Sequence, residues 1–204
     1  GMERTPHDLL SNIDVVFNAL HGKYGEDGKI QHMFEMHNIP HTGSGSFASI
    51  LGMNKVLTKE VFERDNIRTP SYVVFESPDD VVEESLRTIV SKFPPPFIVK
   101  PATSGSSVGV NIVKNLSDLD SAIRHAFDFS DMVIVEEFIN GTEATVGIID
   151  WYRDEFLYAL PPIEIRHKKD FFDYDAKYSG EKSGTEEIVP GNFDFKIKKE
   201  KLIF

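Results

Sequence analysis

Short apolar runs of strand length alternate with stretches of helical spacing through the first two thirds of the chain. That alternation constrains the fold more than any other feature, because a period of two and a period of 3.6 put side chains on incompatible faces. Tyr72-Val73-Val74-Phe75, Phe97-Ile98-Val99-Lys100, Val110-Asn111-Ile112-Val113 and the run 133–139 read as strands. Helical patterns separate them at 81–92, opened by Pro78-Asp79-Asp80, and at 117–127, capped by Ser117-Asp118. Upstream, 13–20 is an apolar run of strand length. Ile30, Met33, Phe34 and His37 are spaced for one buried helix face, and a second helix is expected over about 46–65. Asn140-Gly141, between the runs 133–139 and 144–149, predicts a hairpin. Beyond Asp150 the pattern loosens, with aromatics concentrated at 171–178. The class expected is α/β, mixed α+β.

A chain of 204 residues suits one large domain or two small ones, and it can bury a core without disulfides. Having no cysteine, it has no thiolate metal site and no cysteine nucleophile. A net charge of −11 argues against nucleic acid as the main partner. The one basic cluster, Lys196, Lys198, Lys199 and Lys201, is short and interleaved with Phe195, Ile197 and Leu202. No apolar run approaches the roughly 18 residues of a membrane span, and the N-terminus has no apolar signal core. Gly1 ahead of Met2 reads as the remnant of a cleaved tag. No membrane association and a cytoplasmic location are therefore expected.

The most chemically suggestive stretch is Lys100-Pro101 followed by Thr103-Ser104-Gly105-Ser106-Ser107-Val108-Gly109. A lysine ending a strand delivers fixed positive charge to a cleft. The small-residue loop offers backbone N–H groups and up to three hydroxyls, which suits a polyphosphate. It is not a P-loop, in which the lysine follows the glycines. Glu136 ends a later strand and Glu143 follows the Asn140-Gly141 turn. Strand-end backbone can pair with an adenine edge, and a carboxylate can accept both ribose hydroxyls. Singly, each of these residues is more often an ordinary surface group; their order along the chain makes the set specific.

With these residues the chain resembles the ATP-grasp enzymes, and within them the D-alanine–D-alanine ligases. The resemblance also rests on Leu20-His21-Gly22-Lys23-Tyr24-Gly25-Glu26-Asp27-Gly28, Thr42-Gly43-Ser44-Gly45, Met53-Asn54-Lys55, Gly141-Thr142-Glu143 and Tyr174-Asp175-Ala176-Lys177-Tyr178. It implies part of a Rossmann-like N-terminal domain over 1–45, a central ATP-grasp nucleotide-binding subdomain over 46–139, and the start of a C-terminal grasp subdomain over 140–204. By the same resemblance, Lys55 and Lys100 hold the nucleotide phosphates, with Ser106 and Ser107 in the lid above them. Glu136, Phe138 and Ile139 contact adenine, and Glu143 takes the ribose. His21 lies near the first D-alanine. Lys177 and Tyr178 belong to a mobile substrate loop that Ser107 helps to position.

The implied reaction is ATP-dependent joining of two D-alanines through an acyl phosphate, for peptidoglycan precursor synthesis, with Mg²⁺ and a homodimer formed through the N-terminal domain. The family's metal ligands, an aspartate and a Glu-x-Asn pair, are absent from this sequence, as is the glutamate-bearing segment that opens family members. The chain therefore reads as a middle piece, expected not to form the dipeptide alone. Two alternatives stand beside this reading. One is a nucleotide-binding ATP-grasp remnant without chemistry; the other is a relative that uses D-lactate or D-serine, against which Lys177-Tyr178 favours the D-alanyl amine.

Overall fold

The computed structural model describes Leu10 and residues 12–105, 107–167 and 185–191. Ser106, Lys177, Tyr178, the aromatics at 171–178 and the lysine cluster at 196–201 lie outside the described residues. The chain divides into two units, Gly1–Glu137 and Phe138–Phe204.

Among the described residues from Asn12 on, the first unit begins with three helices: α1 (Lys29–Met36), α2 (Ser46–Met53) and α3 (Lys55–Arg64). The run 13–20 does not form the expected strand. It makes a single parallel bridge, Val16 to His41, and Val15 and Phe17 are exposed, so among the described residues it has no longer partner to pair with. The expected single helix over 46–65 is two. Asn54 interrupts it with extended backbone and caps α3, its side-chain oxygen accepting from the N–H groups of Val56 and Leu57. A side chain that satisfies two orphan N–H groups makes a new helix start cheaper than continuation.

Next come β1 (Tyr72–Phe75), a 3₁₀ turn at Pro78–Asp80, α4 (Glu83–Lys92), β2 (Phe97–Pro101), β3 (Asn111–Val113), a second 3₁₀ turn at Leu116–Asp118, α5 (Leu119–Ala126) and β4 (Val133–Glu137). The four strands form one antiparallel sheet in the order β1-β4-β2-β3. Strand alternation sends Phe97 and Val99 of β2, and Val133 and Val135 of β4, into the main core with Ile89 of α4 and Leu119 and Ile123 of α5. The opposite face carries Lys100, Ile134 and Glu136. There Ile134 packs with Val56 of α3 and Ala102. This second face, under α3, is where charge accumulates.

The second unit holds β5 (Glu143–Thr145), β6 (Ile148–Tyr152), β7 (Glu155–Ala159), β8 (Ile163–His167) and β9 (Thr185–Ile188). The hairpin expected at Asn140-Gly141 does not form. Both edges of β4 are already taken by β1 and β2, and β5 pairs with β8 instead. The hairpin lies further on, between β6 and β7, with Arg153 and Asp154 at φ of 54° and 63° in its turn. Two successive left-handed residues match the strand twist. They are Arg-Asp rather than Asn-Gly, so the turn carries no sequence signal, and the loosened pattern past Asp150 conceals three strands among the described residues.

Candidate active site

Lys100 and Glu136 stand on neighbouring strands in diagonal register, since Lys100 faces Ile134 and Ile98 faces Glu136. Diagonal same-face neighbours are within reach of long side chains, and here Lys100 Nζ pairs with Glu136 Oε2. From the helix above, Lys59 Nζ approaches Glu136 Oε1 to 3.0 Å. The Glu136 and Lys59 side chains are 4% and 6% exposed, whereas that of Lys100 is 22% exposed. Two cations and one carboxylate leave a net positive charge at a mostly dry position that opens on the Lys100 side.

Lys59 is held from several directions. Its ammonium donates to Thr69 Oγ1 at 2.7 Å and to the Pro70 carbonyl at 2.8 Å, and it sits 4.8 Å from the centre of the Tyr72 ring. Burial pushes the Lys59 ammonium below the usual lysine range; the Glu136 carboxylate pulls it partway back, and the nearby Lys100 lowers it again. Two of its three N–H donors go to Thr69 and Pro70, and it faces Glu136 Oε1 as an ion pair; among the described residues Oε1 has no aligned hydrogen bond.

The Gly/Ser loop grows out of β2 beside this triad. Its base is anchored: Ala102 N–H donates to the Met132 carbonyl, Thr103 Oγ1 meets Ser130 Oγ at 2.9 Å, and Ser104 Oγ donates to the Phe129 carbonyl at 3.0 Å. The Ser104 hydroxyl is thus committed to the loop's own footing. At the far end Gly109 has φ +71°, and a Cβ there would lie 2.7 Å from both Phe129 and Pro101, so only glycine fits. Ser107 also has positive φ, at 60°.

Lys55 belongs to this loop rather than to the triad. Its N–H donates to the Ala102 carbonyl at 2.9 Å and its ammonium to the Ser104 carbonyl at 2.6 Å. The lysine that shares a carboxylate with Lys100 is Lys59, one helical turn further along α3. Sequence reading missed it. The available signal is the Lys-x-x-x-Lys spacing of 55 and 59, which places both on one side of the helix that also buries Val56.

His21 opens a compact loop that ends at the Gly28 cap of α1. The loop's acids turn back onto it: Glu26 accepts from the Gly22 N–H at 2.5 Å and Asp27 from the Tyr24 N–H at 2.9 Å. Burial works against the Asp27 charge, yet these backbone donors and Lys29 hold its carboxyl below the ordinary value. Phe138 and Ile139 are the exposed first residues of the second unit, and Glu143 is the exposed first residue of β5. Among the described residues no three His, Asp or Glu side chains cluster to hold a metal ion, and no described helix is long and apolar enough to cross a membrane.

Curated relatives match most of this chain in sequence. A D-alanine–D-alanine ligase of Geotalea uraniireducens (strain Rf4) is 42% identical over 190 residues, covering 93% of this chain and 57% of its own length. That of Geobacter sulfurreducens is 43% identical over 178 residues, covering 87% of this chain and 52% of its own. The chain thus spans a little over half the length of these relatives. Among solved structures, the VanG D-Ala:D-Ser ligase from Enterococcus faecalis superposes with a TM-score of 0.75 at 35% identity, covering 89% of this chain and 51% of that one. D-alanyl-alanine synthetase A from Vibrio cholerae O1 gives 0.75 at 29% identity, covering 92% and 55%. The family model for the D-ala D-ala ligase N-terminus matches residues 2–44 and that for its C-terminus residues 61–201; the chain belongs to the D-alanine–D-alanine ligase family.

Proposed function

We propose that this chain supplies the nucleotide-binding part and one side of the amino-acid site of an enzyme that joins two D-alanines at the expense of ATP. The observation that carries the reading is the Lys59–Glu136–Lys100 triad at the foot of the Gly/Ser loop, in a chain of this family. Phosphoryl transfer needs charge neutralisation and positioning more than covalent assistance. Lys100, partly exposed, holds phosphate oxygens directly, and Lys59 supports it from the dry side. Lys55 secures the loop that carries Ser106 and Ser107 over the phosphates. Glu136 contacts the adenine base. Phe138 and Ile139 flank that base and Glu143 accepts the ribose hydroxyls. The division at 45/46 and 139/140 belongs to the same proposal.

In the first step a carboxylate oxygen of one D-alanine takes the terminal phosphoryl group, and ADP leaves. In the second the amine of another D-alanine attacks the acyl carbon, loses a proton, and phosphate departs as the peptide bond forms. His21 stands at the first amino acid. Lys177, Tyr178 and Ser107 close over the acyl phosphate and keep water from hydrolysing it. The family resemblance implies Mg²⁺, which would neutralise phosphate charge; the described residues offer no cluster of ligands for it.

Titration with a non-hydrolysable ATP analogue tests the nucleotide half. Lys100→Ala should weaken binding about tenfold or more, the loss of one charge-assisted phosphate contact, and unchanged affinity would refute the assignment. A second reading, D-serine as the second substrate, is favoured by the VanG likeness. Comparing D-alanine with D-serine as acceptor, by product mass in the enzyme of full family length, separates the two.

A further inference from the structure

Within the His21 loop, one carbonyl receives two side-chain amides from different parts of the chain. Asn18 Nδ2 donates to the Gly25 oxygen at 3.0 Å, and Gln31 Nε2 donates to the same oxygen at 2.8 Å. Gly25 in turn lies against the peptide that leads into His21: a Cβ on it would stand 2.5 Å from Leu20 Cβ, 2.8 Å from the Leu20 carbonyl carbon and 3.1 Å from the His21 nitrogen. Asn18 closes the circuit, since its Oδ1 accepts from the Leu20 N–H at 3.1 Å and its own N–H donates to Thr42 Oγ1 at 3.0 Å. Asn18 therefore ties the residue before His21 and the turn after it through its side chain, and the Thr42 loop through its backbone N–H.

Gln31 is an expensive way to achieve stability alone. It is 5% exposed on a helix face whose other buried members are Ile30 and Phe34. Among the described residues its Oε1 has no hydrogen-bond partner, and a buried acceptor left unmade costs free energy that an apolar side chain of the same shape would not. Gly25 would keep the Asn18 donor if Gln31 were methionine. A half-satisfied amide in an apolar face is explained by what its other half positions.

We propose that Asn18 and Gln31 are positioning residues for His21. They fix the Leu20–His21 peptide through the Gly25 carbonyl, so that the imidazole meets the first amino acid in one orientation. This rests on the reading of His21 given above. The test uses this chain with Gln31→Met and Asn18→Ala, following the His21 ring resonance through a D-alanine titration and, separately, a titration with the non-hydrolysable ATP analogue.

The expected result is that Gln31→Met moves the melting midpoint by no more than about 3 °C, while both variants raise the D-alanine Kd about tenfold. Their affinity for the analogue should stay within about twofold. An unchanged D-alanine Kd in both variants overturns the proposal, and so does equal weakening of both ligands. If the wild-type ring does not respond to D-alanine, the assignment of His21 to substrate falls, and amide exchange decides the positioning. His21 exchange accelerated at least about tenfold in both variants, with β4 amides unchanged, then upholds it; unaltered His21 exchange overturns it.

Discussion

Replacing Glu136 by leucine keeps the side-chain volume near its present value and removes the carboxylate that Lys59 and Lys100 share. Breaking a buried pair from one side costs about 3–5 kcal/mol, because the surviving charge remains in low dielectric. The structure sets a ceiling on that figure. Lys59 can escape by losing its proton, and at pH 7 this costs about 3.4 units at 1.36 kcal/mol, or ~4.6 kcal/mol, against an ordinary lysine near 10.4. Lys100, with 22% of its side chain exposed, can turn toward water and adds little. The expected loss is therefore about 4 kcal/mol, assigned mainly to Lys59.

Urea unfolding followed by far-ultraviolet circular dichroism is the suitable assay, since the described helices all belong to the first unit. Trp151 is a poor probe, being 77% exposed on the β6–β7 hairpin of the second unit. With a slope of about 2 kcal/mol/M, the midpoint should fall by about 2 M. The sign with pH follows from a lysine whose folded pKa is lowered. The unfolded chain binds more protons between the folded and unfolded values, so stability rises with pH through that window. The deficit of Glu136→Leu should shrink as pH rises from 7 to 9, by at most about 1.4 kcal/mol per pH unit, and adding Lys59→Met should recover more than half of it. A deficit that ignores both pH and Lys59→Met would refute the electrostatic account and point to packing.

Three further outcomes follow from local geometry. Asn54→Ala should cost about 1 kcal/mol in denaturant titration by removing the α3 cap, while Asn54→Asp should cost little. Gly109→Ala should lower stability by about 2 kcal/mol, because it combines a left-handed φ with contacts at 2.7 Å to Phe129 and Pro101; an unchanged melting temperature would mean that the loop end relaxes freely. Glu35 is held below its ordinary value, first by the Ser46 hydroxyl and then by the Ser46 N–H, and Asp27 is lowered as described. Their contribution is complete above the unfolded values of 4.5 and 3.8 and is lost as pH falls through the lower folded values. Asp27→Asn with Glu35→Gln should therefore flatten the acid limb of a melting curve taken below about pH 5.

The strands of the first sheet are legible in the sequence because each has one face in the main core. Phe97 and Val99 alternate with Ile98 and Lys100, and period two is the direct imprint of such burial. Legibility fails where a segment's partner decides its state. The run 13–20 has strand composition but only one bridging residue among those described. Asn140-Gly141 has the chemistry of a tight turn, yet β4 has no free edge to offer the strand that follows. Turn chemistry reports local preference, and pairing is a tertiary fact. The β6–β7 hairpin shows the converse, a real turn written in residues that do not announce it.

The site divides along the same line. Lys100 is legible as a candidate only in company, because a lysine ahead of a Gly/Ser loop is by itself more often an ordinary surface group and the later Glu136 and Glu143 are what single it out. Its partner is harder to read, because Lys55 and Lys59 are both helix lysines and composition does not rank them. What ranks them is which carbonyl or carboxylate lies beneath each turn of α3. Under the first turn runs the loop base, so Lys55 meets the carbonyls of Ala102 and Ser104. One turn on lies the sheet, where β4 presents Glu136 and the 69–70 segment presents a hydroxyl and a carbonyl. Four residues along a helix amount to about 6 Å of rise, enough to exchange a loop anchor for a member of the charged triad. Lys59→Met and Lys55→Met should accordingly separate. The first should weaken binding of the ATP analogue and lower the cost of removing Glu136; the second should leave that cost unchanged and act only through the order of the loop. Equal coupling of both lysines to Glu136 in double-mutant cycles would refute the distinction.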